Sequence, residues 1–236
     1  MIVSAQEHPG AAQTASTDLK EIAADVVRRA MQGGATAAEA VAMDGSEFST
    51  VVRLGEVETL KESGSKAIGV RVFFGQRAAS TYSSDLTSEG VKQLVDSALA
   101  LAKVTSEDPF AGIPEPAQLG KLEGDLDLYY DDVYSLSTAD RIDYARRAEK
   151  AALDADPRII NSEGGTFDAA IGYKVLANSH GFVGDYQRSY CSISAVPIAQ
   201  VEGSSMQRDY WYSVAMTLKK LESPEEVGKI DRKSVV

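Results

Sequence analysis

One cysteine and two histidines are all that this 236-residue sequence offers as soft metal ligands or nucleophile-base pairs. A lone Cys191 excludes an intramolecular disulfide and any cysteine cage for zinc within one chain. His8 and His180 lie too far apart to form the closely spaced histidine pair of a typical zinc hydrolase. A basic surplus is missing too: 35 Asp and Glu against 24 Lys and Arg give a net charge of −11, and no dense basic run interrupts the acidity, which argues against direct nucleic-acid binding. Long apolar runs are absent. The stretch from Ile68 to Phe74 is far short of the ~20 residues a membrane helix requires. The polar, Ala-rich start has neither a basic n-region nor an apolar h-region, so no signal peptide is readable. There is also no Gly-x-Ser-x-Gly elbow and no Walker-type loop. These absences describe a soluble protein of a reducing, cytoplasmic compartment.

What is present has the size and apolar content for two modest cores. Residues 1–16 read as a disordered tail. A first helix is expected from Asp18, capped there with Glu21 reaching back, and carrying Leu19, Ile22, Val26, Ala30 and Met31 on one stripe until Gly33-Gly34. From Ala38 to Tyr82, turn signals at Asp44-Gly45, Leu54-Gly55, Ser63-Gly64 and Gly75-Gln76 predict a meander of four or five antiparallel strands. In the clearest of them Ile68, Val70, Val72 and Phe74 share a face. A second amphipathic helix follows Thr87, with Val91, Leu94, Val95 and Ala98 on its stripe. The expected fold class is α+β: a meander flanked by two helices over residues 17–107, a Pro-rich linker over 108–124, and a second α+β domain over 125–236 rich in long antiparallel strands. In that domain Ser137 and Asp140 open a charged helix, and Asn178-Ser179-His180-Gly181 turns between two strands. Ser223-Pro224-Glu225-Glu226 starts a last helix, which is expected to lead into further structure beyond Val236.

Few residues invite a chemical reading. His180 reads as a structural turn residue and Cys191 as a buried strand cysteine. Asn161-Ser162-Glu163-Gly164-Gly165 lacks the Lys-Ser/Thr of a phosphate loop and reads as a hairpin turn. Asp125, Asp127, Asp131 and Asp132 lack the spacing of a calcium loop and read as an exposed acidic connector. The candidate contact surface is the aromatic run Tyr210, Trp211 and Tyr212, since large amphipathic rings are favoured at interfaces; ordinary strand packing is the equal alternative.

Several segments together resemble one family. Leu60-Lys61-Glu62-Ser63, Gly69-Val70-Arg71-Val72-Phe73, the run from Ala79 to Leu86, and Ala98 through Glu107-Asp108-Pro109 are similar to the amino-terminal domain of the TldD/PmbA family. Its PmbA (TldE) branch is resembled more specifically by Glu149-Lys150-Ala151-Ala152-Leu153, Asn161-Ser162-Glu163-Gly164, Asn178-Ser179-His180-Gly181-Phe182 and the run from Met206 to Ser213. The last segment, from Lys229 to Val236, departs from the family pattern.

The resemblance implies a non-metal subunit of a cytosolic two-component protease. In that family a TldD-type subunit carries a His-Glu-x-x-x-His zinc motif in a carboxy-terminal domain, and the PmbA-type subunit completes a channel for unfolded peptides. Implied partners are a TldD-type subunit or a second copy, together with an unfolded peptide substrate, without nucleic acid or membrane. No catalytic, metal or cofactor residue is expected in this chain; zinc is expected only in the partner. The alternative the family name carries is a non-enzymatic, protein-binding modulator of DNA gyrase.

Overall fold

The structure, a computed structural model, describes residues 11–120 and 124–230. Among the described residues four α-helices, α1 (Ala11–Gln32), α2 (Ser88–Ala102), α3 (Thr138–Leu153) and α4 (Pro224–Ile230), accompany seven strands. The strands are β1 (Ala37–Arg53), β2 (Glu56–Phe74), β3 (Arg77–Ser83), β4 (Ile159–Asn178), β5 (Val183–Ala199), β6 (Gln207–Arg208) and β7 (Trp211–Ala215). Their order is β3-β2-β1-β4-β5-β6, with β7 also paired to β5. This is the α+β class that the alternation of helical and strand patterns implies.

Helix α1 begins at Ala11, so Asp18 lies inside the helix instead of capping it, and residues 11–16 are helical where a tail is expected. The Ala-rich approach to Asp18 has the higher helix propensity and extends the helix upstream. Residues 1–10 of that tail lie outside the described residues. The meander has three strands instead of four or five. Only Leu54-Gly55 and Gly75-Gln76 turn the chain; Asp44-Gly45 and Ser63-Gly64 sit within β1 and β2. Glycine inside a strand marks close backbone approach as well as turns, and a Cβ on Gly45 would come 3.1 Å from the Ile171 carbonyl oxygen.

The chain packs as two units that are not contiguous in sequence. One comprises the described residues within 1–44, 65–124 and 173–186; the other comprises those within 45–64, 125–172 and 187–236. These units cut across a linear division at 108–124 because β1, β2, β4 and β5 are 17 to 20 residues long and each contributes to both units. Residues 108–120 belong to the first unit, where Asp108 N–H donates to the Gln76 carbonyl; positions 121–123 lie outside the described residues.

In the first unit, α1 and α2 cover one sheet face. Ile68, Val70 and Val72 on β2, Ala38, Ala40 and Ala42 on β1, and Val175 and Ala177 on β4 meet the stripes of both helices, with Phe74 packed at the margin. Small β1 residues allow close helix approach. Thr87 caps α2 by accepting from the Gly90 N–H. The opposite face carries the Arg71–Glu39 ion pair at 2.8 Å.

In the second unit, Ala145, Ala148 and Ala152 of α3 and Val227 of α4 pack on Phe48 and Val52 (β1), Phe167 and Ala169 (β4), and Cys191, Ile193 and Ala195 (β5). The capping box at Ser137 and Asp140 opens α3 as expected. Ser223 and Glu226 form the equivalent pair ahead of α4. The segment from Asn161 to Gly165 is not a hairpin turn: it lies within β4, and its glycines seat β4 beneath α3 and against β1. The divergent end lies outside the described residues from 231 onward.

Candidate functional site

Strand β7 pairs antiparallel with β5 through the register Cys191↔Ala215, Ser192↔Val214, Ile193↔Ser213, Ser194↔Tyr212 and Ala195↔Trp211. Alternation sorts its side chains. Ser213 turns to the core, is buried, and accepts from the Glu222 N–H. Tyr210, Tyr212, Val214 and Met216 turn the other way and stay 55, 56, 49 and 43% exposed. The two tyrosine rings stack with centroids 6.2 Å apart and planes 17° off parallel, which stiffens the ladder. On the same face Ser192 donates to the Asp168 carboxylate at 3.1 Å. At its far end Arg208 pairs with Glu163 at 2.8 Å.

The aromatic run picked out in the sequence is thus split by strand geometry. Tyr210 and Tyr212 belong to the open face. Trp211 lies opposite Ala195 on the core side, half-exposed, with its indole N–H donated to Glu222. Val214 and Met216 extend the stripe beyond the aromatic run, and the alternation Tyr-Trp-Tyr-Ser-Val-Ala-Met carries the signal for them. Among the described residues β7 has a strand partner on one side, β5, so its other edge has no strand hydrogen-bonded to it. An open edge beside a half-exposed aromatic face has the two features that strand addition uses, unpaired backbone groups and a packing surface.

The connector preceding α3 braces this region. Asp125, Asp127 and Asp131 are exposed, whereas Asp132 accepts the Thr217 hydroxyl at 2.6 Å. Ser189 donates to the Met216 carbonyl at 2.5 Å and accepts from the Tyr130 N–H. Such hydrogen bonds hold the last residue of the exposed stripe in place.

Among the described residues no group of three or more His, Cys, Asp or Glu side chains converges as a ligand set. His180 occupies the β4–β5 turn with Nδ1 2.9 Å from the Pro114 carbonyl, and Asn178 Oδ1 ties the turn by accepting from the N–H groups of His180 and Phe182. Cys191 is fully buried on β5, near the Ala215 carbonyl at 3.4 Å. Burial, reinforced by the Asp132 carboxylate, pushes its thiol up to about 11. The thiol is therefore protonated at neutral pH and a poor nucleophile. Thiol titration with an aromatic disulfide reagent is therefore expected to find Cys191 silent in the folded chain and fully reactive in denaturant. Fast native labelling would contradict this burial.

Comparison with known proteins adds the lineage. Residues 38–102 match the family model described as PmbA/TldA metallopeptidase domain 1, and residues 131–234 match the PmbA/TldA metallopeptidase central domain. This chain belongs to the TldD/PmbA family. It holds the amino-terminal and central domains of a PmbA/TldE-type member. It is 37% identical over 196 residues to the metalloprotease PmbA of Escherichia coli O157:H7, covering 83% of this chain and 43% of that protein. With the metalloprotease PmbA homolog of Haemophilus influenzae it shares 36% over 219 residues, covering 93% and 48%. The chain therefore spans less than half the length of these curated relatives. Among solved structures, a candidate modulator of DNA gyrase from Bacteroides thetaiotaomicron superposes with a TM-score of 0.84 at 21% identity, covering 92% of this chain and 49% of that one. TldE from Thermococcus kodakarensis gives 0.77 at 17%, covering 91% and 47%. These structural likenesses establish the shared fold. No helix among the described residues of this TldD/PmbA chain is long and apolar enough to cross a membrane.

Proposed function

We propose that this chain is the amino-terminal part of the non-metal, PmbA/TldE-type subunit of a cytoplasmic two-component protease, and that β7 receives an unfolded peptide as an added strand. The observation that carries the reading is the stacked Tyr210–Tyr212 ladder beside an unpaired strand edge, in a chain whose relatives are called metalloproteases. Backbone hydrogen bonds along the edge would supply affinity without sequence demands, and the tyrosine face would supply the packing. Peptide hydrolysis would fall to a zinc-bearing TldD-type partner; this chain's share is binding and orientation.

The test is reconstitution. The intact protein mixed with a TldD-type subunit and an unfolded peptide is expected to cleave faster than the TldD-type subunit alone. Tyr210→Ala combined with Tyr212→Ala is expected to reduce that gain about tenfold, the size expected of a central aromatic contact, with thermal stability little changed. No gain over the metal subunit alone would sink the reading. A second reading, a protein-binding modulator without proteolysis, draws on the description of the Bacteroides thetaiotaomicron neighbour. Affinity capture followed by mass spectrometry separates the two, since recovery of a TldD-type subunit alone counts against the modulator.

A further inference from the structure

In the first unit, β3 is the terminal strand of the order. One side of it is committed to β2 from Ile68↔Ser83 to Phe74↔Arg77, and among the described residues no strand lies on the other. Helix α2 runs beside it, fastened by the Thr81 hydroxyl donating to the Leu94 carbonyl at 3.0 Å. Along this edge lies a groove of about 280 Å³, lined by Thr81, Ser83, Asp85, Gln93, Leu94 and Ser97. Tyr82 also lines it and is 88% exposed, a large aromatic residue left in water on an edge strand.

Asp85 closes one end. It accepts the Thr87 N–H at 2.9 Å, and the Thr87 hydrogen bonds hold its carboxyl below the usual range, so it is ionised at neutral pH. Gly90 makes room for it, since a Cβ there would lie 2.4 Å from Asp85 Cγ. The nearby cations are already committed: Lys92 to Asp96 at 2.7 Å, and Arg29 to Asp25 at 2.7 Å. Asp85 has no ion pair among the described residues, and the groove's free charge is negative.

We propose that this groove binds an extended segment of a partner polypeptide as a strand added to β3, with a lysine or arginine at Asp85 and a β-branched or aromatic residue against Tyr82. Main-chain pairing would give affinity. Asp85 would select a basic side chain, and Tyr82 would pack on its cross-strand neighbour. The site is separate from the β7 face and does not depend on the protease reading.

The test uses a fluorescein-labelled, acetylated heptapeptide of alternating valine and lysine, followed by fluorescence anisotropy on the 236-residue chain. Saturable binding is expected. Asp85→Asn keeps the acceptor for Thr87 and removes the charge, and Tyr82→Ala removes the ring; each is expected to raise Kd at least about fivefold. N-methylation of alternate peptide amides should abolish binding in one phase and spare it in the other, the mark of strand addition. In the Tyr210→Ala, Tyr212→Ala background, where uptake at β7 is weakened, saturable binding and the Asp85 and Tyr82 effects should persist, which keeps failure here distinct from failure of the β7 reading. Absence of binding up to about 1 mM would overturn the proposal. So would equal weakening by the remote Glu56→Gln, which would reduce the attraction to net charge.

Discussion

Replacing Glu149 with alanine is expected to cost about 3 to 4 kcal/mol of folding stability, and so lower the melting temperature by about 10 °C in a chain of this size. Glu149 is 1% exposed on α3. Its two carboxylate oxygens accept the N–H groups of Leu54 and Gly55 at 2.8 and 3.0 Å. Those residues are the whole loop between β1 and β2, and both have positive φ, 50° at Leu54 and 83° at Gly55, as a two-residue hairpin of matched twist requires. A leucine in the left-handed region costs about 1 to 2 kcal/mol. The carboxylate offsets that strain and satisfies two amides that would otherwise be stranded. Alanine leaves both unpaired and opens a cavity. Glutamine presents one oxygen and turns an amide donor toward the second N–H, so Glu149→Gln is expected to cost about 2 kcal/mol. Arg146 also reaches the loop, donating to the Gly55 carbonyl from an exposed position, and Arg146→Ala should cost under about 1 kcal/mol. Urea denaturation measures all three. A Glu149→Ala variant within 1 kcal/mol of the parent would show that the loop holds itself.

Glu149 also shows where reading the sequence stops. Its helix was legible: Ser137 and Asp140 announced the start, and Ala145, Ala148 and Ala152 give it a small-residue face. Nothing in the local pattern shows that a glutamate on that face serves a loop 95 residues away. The start of α2 after Thr87, the capping of α4, the Ile68 to Phe74 face and the turn at Asn178 were likewise local, and all were readable. The strand count was not. Asp44-Gly45 has the composition of a turn, but whether it turns depends on the β4 backbone lying against Gly45, a contact made from more than 100 residues away. The aromatic run was legible as a surface, whereas its division between Tyr210 and Tyr212 on one face and Trp211 on the other required the β5 register. The β3 groove has no local signature in the sequence, because only packing of α2 beside β3 makes a groove of that edge.

Gly165→Ala is the second large effect. It is expected to cost at least about 3 kcal/mol or to prevent folding, although it adds a single methyl group. A Cβ at Gly165 would lie 2.1 Å from the Ala145 carbonyl oxygen and 3.0 Å from the Glu149 nitrogen, all of it helix backbone with no rotamer through which to yield. Relief demands that α3 move off β4 by more than ~1 Å, which loosens Ala145 and Ala148 against Phe167 and stretches the Glu149 bonds to the hairpin. Gly228→Ala tests the same logic between α4 and α3, where the new Cβ would meet the Ala148 carbonyl oxygen at 2.4 Å. Gly55→Ala supplies the contrast: nothing lies within 4 Å, and only the positive φ is penalised, at about 1 kcal/mol. The expected order of destabilisation is Gly165→Ala, then Gly228→Ala, then Gly55→Ala. A Gly165→Ala chain no weaker than Gly55→Ala would refute the close seating of α3. Because retreat of α3 already breaks the Glu149 contacts, Gly165→Ala and Glu149→Ala should combine to less than the sum of their separate costs.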